Sequence, residues 1–158
     1  MRYIDYQITN SILDKTENTV TALQSILHWR WSQIERKRRN MIRHAFNDLL
    51  ISNTEEYSIL VFISHTDSPN HSDIKNYLNL EKSSVSEFIK RCIDRQLVLE
   101  EQNKVDKRKK MYKLTKVGSQ TLELAHGRME SISKIMFETL SSDERKFLLE
   151  ILMKLKNV

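Results

Sequence analysis

The sequence has few of the residues that turn or staple a chain. Among 158 residues there are two glycines, one proline and one cysteine. So few turn formers exclude a fold of many tight corners and favour long helices with few breaks. The lone thiol, Cys92, excludes an internal disulfide and agrees with a reducing compartment. No apolar run reaches the roughly 18 to 20 residues of a membrane span. The opening MRYIDYQITNSILDK breaks its apolar residues with Asp, Gln and Lys, unlike a signal peptide. A cytoplasmic protein without membrane contact is expected. The chain also lacks a Gly-rich phosphate loop, a paired acid motif and any nucleophile, base and oxyanion pattern, so no enzyme and no cofactor are expected. His28, His44, His65, His71 and His126 show no ligand spacing; His65, Asp67 and His71 around the single Pro loop make a forced metal site at best, and none is expected.

What is present is apolar residues at helical spacing and charge in clusters. Hydrophobic residues make up 39% and charged residues 30%, a soluble, helix-rich balance, and the net charge of +5 is unevenly spread. From Tyr6 to Leu50 apolar residues recur at near-helical intervals, with a break expected near Asn10 to Asn18, hence two helices. SNTEEYSILVFISH offers Ser52 or Asn53 as an N-cap with Glu55 or Glu56 three residues on. In DSPNHSDIKNYLNL, Pro69 ends what precedes it, Asn70 caps, and Asp73 closes a capping box on a short helix. Val85, Phe88, Ile89, Cys92 and Ile93 then form one apolar stripe of an amphipathic helix. Its other face carries Ser83, Ser84, Ser86, Glu87, Lys90, Arg91 and Arg95.

LVLEE and KMYKL follow, neither helical in period, and the polar loop QNKVDKRK joins them as an antiparallel hairpin. The stretch from Lys104 to Gly118 holds seven Lys or Arg in fifteen residues. Two helices, a turn and a basic hairpin are expected to form a winged helix-turn-helix. The fold class expected is mainly α with a small β-hairpin wing and a helical dimerisation region. Residues 1–50 would be an N-terminal helical arm, 51–116 the DNA-binding domain and 117–158 the C-terminal dimerisation helices.

The run LNLEKSSVSEFIKRCIDRQLVLEE followed by DKRKKMYKLTKVG resembles the signature of the MarR (multiple antibiotic resistance) transcriptional regulators. The family's wing Asp-x-Arg and following Leu-Thr-x-x-Gly are matched by Asp106, Arg108, Leu114, Thr115 and Gly118. The resemblance runs from about Leu50 to the C-terminus, while residues 1–30 match only in being helical. One departure is Gln96, where relatives usually carry Gly just past the helix. The resemblance implies a cytoplasmic, nucleoid-associated homodimer on a pseudo-palindromic promoter site in double-stranded DNA. It also implies repression by promoter occupancy, and a small-molecule effector pocket between the dimerisation and DNA-binding parts. Trp29, Trp31, Met41 and Tyr57 are candidates to line that pocket, with an aromatic core as their other reading.

The candidate DNA contacts follow. Lys82, Ser83, Ser84, Ser86, Glu87 and Lys90 lie at the part of the helix that a major groove admits. Glu87 either accepts from a cytosine amine or holds Lys90 or Arg91. Lys104, Lys107, Lys109 and Lys110 suit phosphate contacts that release counterions. By its match to the family motif, Arg108 enters the minor groove, and Asp106 orients it or a neighbour. Thr115 is expected to cap the next helix, and Gly118 to let that helix lie close to the wing. ERKRRNMIRH, from Glu35 to His44, reads as a solvated flank before a nucleic-acid patch. Cys92, on the apolar stripe, reads as a buried, inert thiol before a redox sensor. Ser141 and Glu144 form a capping box on a last helix whose stripe of Phe147, Leu148, Ile151, Leu152 and Leu155 is too apolar for water. With Ile8 and Ile12 of the arm, it is expected to pair across a two-fold axis. The alternative is a winged-helix protein-interaction module without specific DNA binding.

Overall fold

A computed structural model describes residues 11, 19–103, 106 and 109–155, with the side chains of 19–22 outside the description. Among the described residues there are six helices and one two-stranded sheet. They are α1 (Thr19–Ala45), α2 (Thr54–His65), α3 (His71–Leu78), α4 (Lys82–Asp94), β1 (Val98–Gln102), β2 (Lys110–Leu114), α5 (Lys116–Phe137) and α6 (Ser142–Leu155). The helical break expected before α1 lies outside the described residues, as do Ile8 and Ile12. The chain divides into two units between Met41 and Ile42, and the winged helix and the C-terminal helices fall in the same one. No described helix is long and apolar enough to cross a membrane.

Polar caps set the starts of four helices, each satisfying amides that the first turn leaves unpaired. Asn53 accepts from Glu56 N at 2.8 Å to open α2. Asn70 accepts from the amides of Ser72 and Asp73, and the Asp73 carboxylate accepts from Asn70 N at 2.8 Å, which completes the box on α3. Thr115 Oγ1 accepts from Gly118 N at 2.8 Å to open α5. Ser141 and Glu144 exchange the same reciprocal bonds ahead of α6. α4 starts at Glu81 with no side-chain cap, and ends where Gln96 takes a left-handed φ of 58°. There Gln96 N donates to Ile93 O and Leu97 N to Cys92 O, the paired closing bonds of a Schellman end. Gln96 thus holds a left-handed backbone that a glycine would adopt with less strain.

The core of the larger unit gathers Phe46, Ile51, Ile59, Leu60, Ile74, Val85, Ile89, Leu97, Val98 and Tyr112 around α2. Full burial of each such side chain contributes about 1.5 to 3 kcal/mol. β1 and β2 pair antiparallel with Val98 opposite Leu114 and Gln102 opposite Lys110. An Asn70–Met111 bridge and a bond from Tyr112 N to Pro69 O at 2.9 Å tie the segment before α3 to β2. The hairpin is thereby fixed to the start of the helix-turn-helix rather than projecting on its own.

Cys92 lies on the buried side of α4 with Val85 and Ile89, with no exposed surface. Burial, reinforced by the nearby Glu56 carboxylate, pushes its thiol up to about 12. A disulfide reagent at pH 7.5 should therefore leave the native chain unlabelled and react fully in denaturant. Cys92→Ala should cost on the order of 1 kcal/mol. Rapid labelling of the folded chain would contradict this burial.

Candidate nucleic-acid interface

Burying the stripe Val85, Ile89 and Cys92 leaves the opposite face of α4 toward solvent, with Lys82, Ser83, Ser86, Glu87 and Lys90 exposed and Ser84 half-buried. This face borders an open groove of about 870 Å³ whose other walls come from α3 and the hairpin. Lys75 from α3, Lys82 and Lys90 from α4, and Lys109 and Lys110 from the hairpin line it, with Glu100 the one acidic side chain among its lining residues. The structure thus brings Lys82, Ser86, Lys90, Lys109 and Lys110 of the expected contacts to one surface. Lys104, Lys107 and Arg108 lie outside the described residues.

Several side chains already have partners. Lys110 Nζ lies 2.9 Å from a Glu100 carboxylate oxygen, and Lys113 Nζ is 2.8 Å from Glu101. The Glu100 hydrogen bond holds the Lys110 ammonium above its ordinary pKa. A phosphate must displace Glu100 to take Lys110, whereas Lys109 is exposed at the loop end. Glu87 meets Arg91 at 3.1 Å, the partner that one of its two expected roles names. Within the wing loop, Asp106 N donates to Asn103 Oδ1 at 3.0 Å, Lys109 N donates to Asp106 O, and Asn103 N donates to Lys109 O.

Arg91 and Arg95 correct the sequence reading. Grouped there with the polar outer face of α4, both turn inward to Glu56, a carboxylate with 0% exposure in the first turn of α2. Arg95 Nη1 donates to Glu56 Oε2 at 2.9 Å, and the same oxygen accepts from Ser52 N at 2.8 Å. Arg91 Nε approaches Glu56 Oε1 to 2.9 Å, yet both atoms lack a directed hydrogen bond, so that contact is ionic rather than a shared proton. Arg95 also donates to Leu50 O, at 3.2 Å. The buried acid thus anchors the C-terminal half of α4 to α2.

Three further residues escaped the sequence reading. Lys75 and His71, at i and i+4 on α3, enter the groove because Ile74 occupies the buried side of that short helix. His71 Nε2 meets Ser86 Oγ at 2.9 Å, and burial, helped by the Lys82 charge, holds the imidazole below its ordinary pKa. On the far side of the unit Arg128 of α5 grips Asp48, Nη2 to Oδ2 at 2.8 Å, and also donates to Ala45 O. The guanidinium holds the Asp48 carboxyl down to about 2.

The other candidates are simply placed. Tyr57 is half-buried, its ring centroid 6.1 Å from that of Phe46 and its hydroxyl 2.9 Å from His126 Nδ1. Glu35 pairs with Arg38 at 2.9 Å and lies 3.9 Å from Arg39, as on a solvated flank. His65 Nδ1 lies 2.9 Å from Val61 O, and no group of three His, Cys, Asp or Glu able to hold a metal occurs among the described residues. α6 buries none of its residues: Phe147 is 64% exposed, and Ile151 and Leu155 are exposed beside it, while Leu148 and Leu152 are half-buried.

Comparison with known proteins agrees with this geometry. Residues 53–118 match the family described as winged helix DNA-binding domain. A curated relative, the uncharacterized HTH-type transcriptional regulator YdgJ of Bacillus subtilis (strain 168), is 24% identical over 99 residues, 63% of this chain. The match spans 60% of that protein, less than two thirds of its length. Among solved structures, a mutant MarR from E. coli complexed with operator DNA superposes with a TM-score of 0.74 at 19% identity, covering 82% of this chain and 92% of that one. The transcriptional repressor CouR bound to a 23-mer DNA duplex gives 0.78 at 18% identity, covering 89% and 99%. Residues 53–118 are thus similar to winged helix DNA-binding domains, and the chain takes the fold seen in the MarR and CouR structures.

Proposed function

We propose that the chain is a MarR-family transcriptional regulator that binds double-stranded DNA as a homodimer and represses by occupying a promoter. α4 enters the major groove, and the hairpin follows the backbone with its tip at the minor groove. The observation that carries this reading is the groove walled by α3, α4 and the hairpin, into which all three elements present lysines. A strip of ammonium groups beside an exposed helix suits one phosphate backbone flanking the major groove that the helix fills. The DNA-bound MarR and CouR structures support it by likeness of fold. The uncovered apolar side of α6 supports the homodimer, because isolated monomers rarely leave such a row in water. A two-fold pair would set two copies of α4 about one helical turn apart.

Titration of the full chain against a random-sequence duplex and its own promoter fragment, over a range of salt, tests the reading. Two chains per site are expected, with log affinity falling linearly as log salt rises. Lys109→Ala should weaken both duplexes alike and lower the slope by about one counterion. Arg108→Ala should cost roughly 1 to 3 kcal/mol on the promoter site and less where the flanks are G·C-rich, because a narrow A·T minor groove favours a guanidinium. Affinity unresponsive to salt would point instead to a protein-interaction module.

A further inference from the structure

A serine hydroxyl ordinarily tells a DNA-binding helix little, because it both donates and accepts. Ser86 does not have that freedom. Its Oγ lies 2.9 Å from the Lys82 carbonyl one turn back, and 2.9 Å from His71 Nε2 on the neighbouring helix. The hydroxyl owns a single proton. If that proton goes to Lys82 O, the imidazole N–H donates into one oxygen lone pair and the other lone pair remains. If it goes to an unprotonated Nε2, both lone pairs remain. Protonation of His71 enforces the first arrangement. In every case the proton is spent inside the protein, and what an exposed Ser86 offers outward is a lone pair.

From this we infer that Ser86 is a specificity residue that only accepts: it takes a hydrogen bond from an exocyclic base amine, adenine N6 or cytosine N4, and contacts neither guanine O6 and N7, nor thymine O4, nor a phosphate oxygen. His71 is the positioning residue that holds the hydroxyl in that state. The inference rests on the DNA-binding reading above and assigns a chemical polarity to one point of its surface. Phosphate oxygens and the acceptor edges of guanine and thymine need donors, which fall to Lys82 and Lys90 on either side along the helix.

The experiment has two stages, both with the full chain. Bound sequences are first selected from a pool of random duplexes with the wild type and with Ser86→Ala, which suits an exposed helical position. At the position whose base preference the variant loses, two analogues are then introduced. One lacks the exocyclic amine, purine for adenine or pyrimidin-2-one for cytosine; the other keeps the amine but lacks N7, 7-deazaadenine at an adenine or 7-deazaguanine opposite a cytosine. Loss of the amine should weaken the wild type roughly fivefold, the scale of one hydrogen bond, and leave Ser86→Ala unchanged. Loss of N7 should affect both proteins equally. His71→Ala should shrink the amine effect without reversing it. An N7 effect present in the wild type and absent from Ser86→Ala would overturn the inference, as would a selected sequence that Ser86→Ala does not alter. A chain that enriches no sequence and shows no salt-dependent duplex binding would instead bring down the DNA reading itself, and this inference with it.

Discussion

Gly118→Ala is expected to destabilise the chain by about 3 kcal/mol or more, while the same change at Gly127 stabilises it slightly. A Cβ at position 118 would stand 2.0 Å from the Leu97 carbonyl oxygen and 2.9 Å from its carbon. Neither is a flexible side-chain end. Leu97 is fully buried, its N–H closes the end of α4 on Cys92 O, and its carbonyl accepts from Thr115 N at 3.0 Å. Relief therefore means shifting the main chain between α4 and β1, or pulling the first turn of α5 away with its Thr115 cap. Overpacking costs about 1 to 3 kcal/mol where side chains can adjust, and backbone against backbone belongs at or above the top of that range. At Gly127 a Cβ meets nothing within 4 Å, so replacing a mid-helix glycine should contribute about 0.5 to 1 kcal/mol. Urea unfolding followed by circular dichroism distinguishes the two. Equal midpoints for both variants would mean that α5 does not crowd Leu97.

Glu56→Ala should cost about 3 kcal/mol, with Glu56→Gln in between, at about 1 to 2. The carboxylate is wholly enclosed, and it carries one backbone amide and two guanidinium groups. Deleting one side of a buried ion pair costs about 3 to 5 kcal/mol when the stranded charge has no access to water. Arg91 and Arg95 are each about a third exposed, 36% and 33%, so part of that penalty is relieved and the lower end applies. Glutamine keeps one oxygen for Ser52 N and the shape of the side chain, but loses the charge and turns its other acceptor into an NH2 donor that faces an arginine. In the same urea assay, a Glu56→Ala loss below about 0.5 kcal/mol would show that the cluster is no anchor. A double-mutant cycle with Arg95→Ala gives the pair's own coupling.

The close approach at Gly118 was expected from the sequence, whereas Glu56 marks the limit of what it discloses. Caps are local: Asn53, Asn70 with Asp73, Thr115 and Ser141 with Glu144 were all legible, because the donor and acceptor sit within four residues. The hairpin was legible from its two apolar-containing runs around a polar loop, and the stripe of α4 from its spacing. Glu56 was not. In sequence it is one more acid in a first turn, and only the fold brings Arg91 and Arg95 to it across another helix. Spacing assigned those arginines to an outer face because periodicity marks direction around an axis and says nothing of how far a long side chain bends back. Lys75 gives no signal beyond its i+4 spacing from His71, and His71, weighed in sequence only as a metal ligand, reaches the groove through packing that spacing alone does not show.

The corners of the helix-turn-helix carry a consequence for recognition. Ser68 before α3, Asn79 after it and Gln96 after α4 all hold positive φ, at 50°, 51° and 58°, and none is glycine. A side chain makes the left-handed well shallow and narrow, at roughly 1 to 2 kcal/mol above the right-handed one. Glycine would have left those joints free to swing through both hands. Asn79 alone sits in the joint between α3 and α4, so its side chain narrows that angle while the chain folds, and Ser68 and Gln96 do the same for the entry to α3 and the exit from α4. A partner of the α4 surface would then meet backbone corners whose ordering entropy was spent on folding, and would itself have to supply the fit.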